Sequence, residues 1–394
     1  MPAATSCDPT PRLPIRPDLV GRVPYGAPQL DVPVRLNTNE NSHPVPPDVA
    51  AAITAALAQA VPGLNRYPDR EFTALRQALA HYLGHDLRAE QLWAGNGSNE
   101  VLQHILQAFG GPGRTAMGFT PAYSLHPLIA SGTSTAWIDG LRGQGPEAPP
   151  RPQGPPRPEA PRRPQTPGSL GAFELTAQAA VRQIERADPD LVFLCSPNNP
   201  TGTALDLEVV RAVLECTRGI VVVDEAYTEF ARPGTPSALT LLPGRARLIV
   251  TRTMSKAFAL AGARLGYLAA DPAVCDALRL VRLPYHLSSL TQVAAQVALA
   301  HAPRLLAGVR SLIEQRDRIV AGATSLGLSP EPSDANFVLI GGLTDERRTF
   351  EHLLDAGVLV RDVGLAHHLR VTAGTEEETT AFLDALASSL QEDR

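Results

Sequence analysis

Thr251-Arg252-Thr253-Met254-Ser255-Lys256-Ala257-Phe258-Ala259-Leu260-Ala261-Gly262-Ala263-Arg264 follows directly on the apolar run Leu248-Ile249-Val250. That run reads as a buried strand, so Lys256 arrives at a strand end rather than on an open helix face. A lysine delivered there can pair with an acid, reach water, or lose its charge by condensing with a carbonyl, as a Schiff-base lysine does with pyridoxal phosphate. The hydroxyls of Thr253 and Ser255, with a fixed cation at Arg264, are what a phosphate monoester beside that lysine needs.

Upstream, Leu191-Val192-Phe193-Leu194-Cys195 reads as another buried strand, followed by the turn Ser196-Pro197-Asn198-Asn199-Pro200-Thr201-Gly202. After a helix over about 206–216 comes the β-branched strand Ile220-Val221-Val222-Val223, which ends in the acid Asp224. A strand at about 114–119, a helix from near Pro121, a strand at about 135–138 and a helix at about 176–186 extend the alternation. Such alternation predicts an α/β fold with a mostly parallel sheet covered on both faces, and ligands then gather at the strand carboxyl ends. Asn199, Asp224 and Lys256 all fall at such ends.

Trp93-Ala94-Gly95-Asn96-Gly97-Ser98-Asn99-Glu100 reads as a glycine-rich turn leading into an apolar helix, Val101 to Phe109. Free amide groups at that helix start favour an anion, or else Ser98 or Asn99 simply caps the helix. It is no dinucleotide fingerprint, because Glu100 stands where the third glycine belongs, and no lysine makes it a phosphate-binding loop of the nucleotide type. Helices at about 46–60 and 71–83 precede it, the second with one apolar stripe, Phe72, Leu75, Leu79 and Leu83. The division expected is an N-terminal arm over 1–45, a large domain over 46–280 and a small α+β domain over 281–394. The small domain carries strands near 336–340, 358–361 and 369–372, and helices near 288–300, 304–326, 346–356 and 376–390.

Residues 140–171 interrupt the alternation. Ten of the 37 prolines lie between Pro146 and Pro167, among arginines and almost no hydrophobic residues. Such a stretch buries too little apolar surface to offset its ordering entropy, so a disordered or polyproline-II insertion is expected.

Composition bounds the partners. With 394 residues, 44% hydrophobic and 19% charged, the chain suits a two-domain globular enzyme. A formal net charge of -5 argues against nucleic acid. No apolar run approaches membrane-spanning length and the first 17 residues lack a signal-type core, so a cytoplasmic location is expected, without a membrane partner. Cys7, Cys195, Cys216 and Cys275 show no paired spacing, and the ten histidines form no metal motif, so no metal is expected.

The candidate residues divide one task. A pyridine ring is an electron sink only while its nitrogen stays protonated, and a buried carboxylate at Asp224 would hold that proton; the alternative is an acid capping the next segment. Tyr227 and Asn199 could donate to a ring 3-oxygen. Tyr123 could stack on the ring or serve only as a packing residue. Ser98, Asn99, Thr253, Ser255 and Arg264 would share the phosphate.

Asn199-Pro200-Thr201-Gly202, Asp224-Glu225-Ala226-Tyr227 and the stretch from Thr253 to Arg264 resemble the fold type I, pyridoxal-phosphate-dependent aminotransferases. Within these the chain most resembles the histidinol-phosphate aminotransferase family, through Pro24-Tyr25, Leu36-Asn37-Thr38-Asn39-Glu40-Asn41, Arg66-Tyr67-Pro68-Asp69, Gly95-Asn96-Gly97-Ser98-Asn99-Glu100, Val360-Arg361-Asp362 and Leu369-Arg370-Val371-Thr372-Ala373-Gly374. The resemblance implies that Lys256 carries the cofactor and moves the proton, with Asp224, Tyr227, Asn199 and Tyr123 around the ring. It further implies that Tyr67 reaches the phosphate of a neighbouring subunit in a homodimer with shared active sites. Arg370 would bind the amino acid carboxylate, and Arg361 and Tyr25 the phosphate of histidinol phosphate. Asn99 departs from the aspartate common in the family, keeping the backbone amide but removing a charge.

The expected reaction passes an amino group between histidinol phosphate and 2-oxoglutarate, giving imidazole-acetol phosphate and glutamate, in histidine biosynthesis. Three alternatives remain open at this level: transamination of an aromatic amino acid such as phenylalanine, decarboxylation of a phosphorylated amino acid by the same cofactor, and a non-catalytic binding module.

Overall fold

The computed structural model describes residues 13–21, 24–143 and 173–392. The chain divides into two units, residues 1–31 and residues 32–394. The described part of the first contains one 3-10 turn, Pro17–Leu19, entered through the proline-fixed backbone at its start. Residues 144–171 of the expected proline-rich insertion lie outside the described residues.

The second unit contains thirteen strands among its described residues: β1 (Val34–Arg35), β2 (Leu92–Asn96), β3 (Thr115–Thr120), β4 (Ala136–Leu141), β5 (Leu191–Cys195), β6 (Ile220–Asp224), β7 (Leu248–Thr253), β8 (Leu265–Ala270), β9 (Ser329–Pro330), β10 (Phe337–Gly341), β11 (Val358–Leu359), β12 (Arg361–Asp362) and β13 (Leu369–Thr372). The central sheet has the order β2-β8-β7-β6-β5-β3-β4. Neighbours from β7 through β4 pair in parallel, whereas β8 pairs antiparallel with both β7 and β2. Only β8 therefore runs against the rest. The apolar runs of β5 and of the first residues of β6 and β7 belong to strands buried along nearly their whole length.

Two stretches differ from the sequence reading. Trp93 to Asn96 lie in β2, not in a turn; the turn is confined to Gly97, whose φ of 82° lets the chain reverse into the helix Ser98–Phe109. Trp93 and Ala94 are fully buried there, so tertiary packing outweighs the local glycine signal. The helix expected over 304–326 is broken into Ala302–Leu305 and Val309–Ser325, with a 3-10 turn at Leu306–Gly308 between them. The predicted stripe of the helix Thr73–Leu83 is buried at Leu75, Leu79 and Leu83, each contributing roughly 2 kcal/mol of burial.

A smaller sheet, β12-β13-β10-β9, covers a second core. That core takes Leu36 together with Ile319, Val338, Ile340, Leu353, Val358 and Val371, among others. Leu36 belongs to it because β1 pairs in parallel with β11, and Thr372 donates its backbone N–H to the Leu36 carbonyl. The helix Ser289–Ala300 packs against Pro47–Ala60 and Thr73–Leu83, joining the larger core. The segment after β1 thus runs from the small sheet toward the carboxyl ends of the large one.

Candidate active site

Strand β7 ends at Thr253, and a tight loop carries the next residues back over the sheet. Ser255 donates its backbone N–H to Thr253 Oγ1 at 3.1 Å, and the Thr253 hydroxyl donates to Ser255 Oγ at 3.0 Å. Leu260 N–H returns to the Met254 carbonyl at 3.2 Å, closing the loop around Lys256. Lys256 Nζ donates to the Thr38 carbonyl at 2.9 Å. No acid forms an ion pair with it among the described residues. Burial pushes its amine down to about 8; Arg370 and Arg264 act in the same direction and Glu40 opposes them. The residue as a whole is only partly buried, whereas its amine is desolvated.

Asp224 is the last residue of β6, beside Thr251 in the β6–β7 register. Its Oδ1 accepts from the Thr251 hydroxyl at 3.0 Å, and its Oδ2 lies 3.3 Å from His126 Nε2. His126 is enclosed by the rings of Tyr123, Trp137 and Phe193.

Three residues on, the Tyr227 hydroxyl accepts N–H groups from Asn39 at 3.0 Å and Asn199 at 3.3 Å. Burial pushes its phenol up to about 12, against the opposing effects of Arg370 and the Asn39 hydrogen bond. Arg370, on β13, donates to Asn199 Oδ1 at 2.6 Å and to the Asn37 carbonyl at 2.8 Å, with its guanidinium 5.1 Å from the Phe337 ring centroid. Asn37, Thr38 and Asn39 therefore offer three successive carbonyls to Arg370, Lys256 and Asn336. This short strap ties the small sheet to the lysine loop.

An anion cradle lies at the start of the helix Ser98–Phe109. Its first turn has free amide groups, and no side chain caps it. A Cβ on Gly97 would collide with the Arg264 guanidinium, which places that cation against the helix start. Arg264 itself sits in the left-handed region at φ 55°, uncommon for an arginine and found where a site dictates the backbone. Tyr123 donates its hydroxyl to Asn99 Oδ1 at 3.2 Å, joining the cradle to the neighbourhood of His126 and Asp224.

The structure thus links Lys256, Asn199, Tyr227 and Arg370 through the strap, and brings Ser98, Asn99 and Tyr123 together beside Arg264. Arg361 is the β12 residue opposite Arg370 in the antiparallel register. Tyr67 lies apart, 80% exposed and stacked on Tyr285 with ring centroids 4.5 Å apart. Tyr25 belongs to the first unit and is exposed. Sequence reasoning missed His126, Thr251 and Asn39. His126 follows Tyr123 by three residues, in the stretch read as a helix from near Pro121, which was a readable signal; Asn39 lies in the stretch 36–41 that carries part of the family resemblance, but its partner is 188 residues away.

This donor set suits pyridoxal phosphate: a desolvated amine for the aldehyde, a held carboxylate for the ring nitrogen, a doubly donated phenol, and an uncapped helix start with an arginine for the phosphate. Among the described residues no group of three His, Cys, Asp or Glu side chains could hold a metal ion.

Comparison with known proteins points the same way. A family model described as aminotransferase class I and II matches residues 32–139 and 165–386. The chain is 59% identical over 382 residues to a histidinol-phosphate aminotransferase of Paenarthrobacter aurescens, covering 96% of this chain and 95% of that protein. It is 56% identical over 386 residues to one of Frankia casuarinae, covering 96% and 90%. Among solved structures, a histidinol-phosphate aminotransferase of Sinorhizobium meliloti in complex with pyridoxal-5'-phosphate superposes with a TM-score of 0.78 at 25% identity, covering 92% of each chain.

Proposed function

The chain belongs to the class I and II aminotransferases, and among them to the histidinol-phosphate aminotransferases; from that premise we propose that it exchanges an amino group between histidinol phosphate and 2-oxoglutarate, yielding imidazole-acetol phosphate and glutamate. Pyridoxal phosphate, when bound, supplies the electron sink that makes the substrate's α-proton removable. Lys256 would hold the cofactor through its amine and would move that proton as base and then acid. An amine at about 8 is close to the pH at which one group serves both roles well. Asp224 keeps the ring nitrogen protonated, and Asn199 and Tyr227 steady the 3-oxygen. Tyr123 would pack on the ring face. Ser98, Asn99, Thr253, Ser255 and Arg264 take the phosphate.

Arg370 is the residue for the carboxylate of glutamate and 2-oxoglutarate, and its orientation by Asn199 and Asn37 supports that role. Arg361 and Tyr25 serve the phosphate of histidinol phosphate. The reading also includes a homodimer in which Tyr67 reaches the cofactor phosphate of a second copy. Support comes from the exposed Val61, Leu64, Leu280 and Leu283 on the two segments that the Tyr67–Tyr285 stack joins. A cytoplasmic location is supported by the free thiols of Cys195, Cys216 and Cys275. The division into a large domain at 46–280 and a small domain at 281–394 belongs to the same reading, with the helix Ser289–Ala300 of the latter packed into the larger core.

The observation that carries the reading is the desolvated Lys256 amine, without an acid partner among the described residues, held on a carbonyl of the strap. Borohydride treatment of the purified holoprotein, followed by peptide mass analysis, should place the reduced cofactor on Lys256. Lys256 is the only lysine of the chain, so its peptide recovered without the reduced cofactor, or normal turnover by Lys256→Ala, would sink it. Following the cofactor spectrum after adding single amines separates histidinol phosphate from phenylalanine as donor. Carbon dioxide release without a 2-oxo acid would mark a decarboxylase instead.

A further inference from the structure

The Tyr227 phenol is held by two donors at once. Its oxygen accepts from two amides, Asn39 Nδ2 at 3.0 Å and Asn199 Nδ2 at 3.3 Å. A phenol oxygen with both acceptor positions filled has one hydrogen-bonding capacity left, the donation of its own proton. Among the described residues no acceptor takes that proton.

Both amides are held with their oxygens turned away from the phenol. Arg370, which has donors only, points at Asn199 Oδ1 from 2.6 Å. The Thr372 hydroxyl accepts the Asn39 backbone N–H at 3.0 Å, which leaves its proton for Asn39 Oδ1 at 3.2 Å. In this arrangement both NH2 groups face the phenol. The backbone of Asn39 is left-handed, at φ 55°, a conformation that asparagine and glycine tolerate best. Glycine would satisfy the backbone alone; asparagine also supplies the amide. Asn39 is buried, so this donation is not shared with water.

We propose that Asn39 is a positioning residue, one that with Asn199 forces the Tyr227 hydroxyl to donate its proton outward, to an oxygen of the bound cofactor. The inference rests on the cofactor reading of the site given above. The acceptor is a phenolate-type oxygen on the ring. A proton donated to an oxyanion stabilises the charged form and lowers the pH at which the cofactor's bound chromophore takes up a proton.

Three variants test it. Asn39→Gly keeps the left-handed backbone and the strap carbonyls but removes the amide. Asn39→Asp keeps the shape but turns a donor into an acceptor that draws the phenol proton inward. Thr372→Val, nearly isosteric, releases the Asn39 amide to flip. In each holoprotein the visible absorbance of bound pyridoxal phosphate is titrated with pH. The titration should move upward by roughly half to one pH unit in Asn39→Gly. It should move further in Asn39→Asp, and by less in Thr372→Val. Repeating the titrations in a Tyr227→Phe background should abolish the shifts of Asn39→Gly and Thr372→Val, because the proton being aimed is gone, and leave in Asn39→Asp only the effect of the added charge.

A merely structural role for Asn39 would lower the melting temperature without moving the titration, and that result overturns the proposal. So does a shift of equal size in the Tyr227→Phe background. Should Asn39→Gly fail to fold, Thr372→Val alone decides, since an unchanged titration there is equally fatal. A wild-type protein with no visible band in the presence of pyridoxal phosphate would remove the cofactor reading itself, which keeps the two failures distinguishable.

Discussion

His126 Nε2 lies 3.3 Å from Asp224 Oδ2, with both side chains almost wholly enclosed. The other carboxylate oxygen takes the Thr251 hydroxyl at 3.0 Å. A buried carboxylate with a polar neighbour on each oxygen is held in one orientation at the end of β6. The ring cage around His126 fixes the imidazole in turn, so the aspartate is steadied from behind, by residues of a different strand and helix.

Replacing His126 by leucine leaves Asp224 Oδ2 buried without that neighbour. Loss of one hydrogen bond to a charged group should slow the amino-donor half-reaction about ten- to a hundred-fold, with a smaller change in substrate affinity. Rapid mixing of holoprotein with histidinol phosphate reads this rate. An unchanged rate would show that Asp224 is held by Thr251 alone.

The lowered Lys256 pKa sets a pH window. Because the folded value, about 8, lies below the ordinary 10.5, the amine of the apoprotein is neutral above 8 and increasingly charged below it. Capture of added pyridoxal phosphate should therefore slow by about ten-fold per pH unit below 8. Above that, between 8 and 10.5, the folded amine is neutral while the unfolded chain still binds the proton. Apoprotein stability should thus rise with pH across that window relative to Lys256→Met. Equal capture rates at pH 6 and 8 would contradict the assignment.

Gly97→Ala tests the anion cradle. An added Cβ would strike the Arg264 guanidinium, and the φ of 82° is one that alanine adopts only with strain. The backbone part should cost about 1–2 kcal/mol of stability. Displacing Arg264 should weaken phosphate binding by at least about ten-fold, measured as the dissociation constant of pyridoxal phosphate from the apoprotein. Binding at wild-type strength would place the phosphate elsewhere.

Arg370→Lys keeps the charge but loses the fork that spans Asn199 and Asn37. For 2-oxoglutarate, kcat/KM should drop about a hundred-fold. Arg361→Ala should instead raise KM for histidinol phosphate and leave glutamate nearly untouched. Steady-state kinetics with each donor separates the two, and equal effects on both donors would contradict the division of labour.

Much of the site was legible because its chemistry is carried by short stretches at strand ends. Strands β5, β6 and β7 announce themselves as apolar, β-branched runs, and the residues that follow each run land at one edge of the sheet. The Trp93 to Asn96 strand was not legible, since glycines dominate its local signal and only burial against β8 makes it a strand. Nor was the antiparallel course of β8 visible, because strand direction leaves no mark on composition.

From the sequence alone came the alternation that makes a parallel sheet, the lysine, the acid and the arginines, and the family they resemble. The tertiary structure alone decided which of them touch. It brought Asn39 to Tyr227 across 188 residues of chain and Arg370 to Asn199 across 171, and it set His126 behind Asp224. The physical reason is that propensity and periodicity act over a few neighbours, whereas a hydrogen bond between distant residues exists only once two cores have packed and excluded the water that would otherwise compete for it.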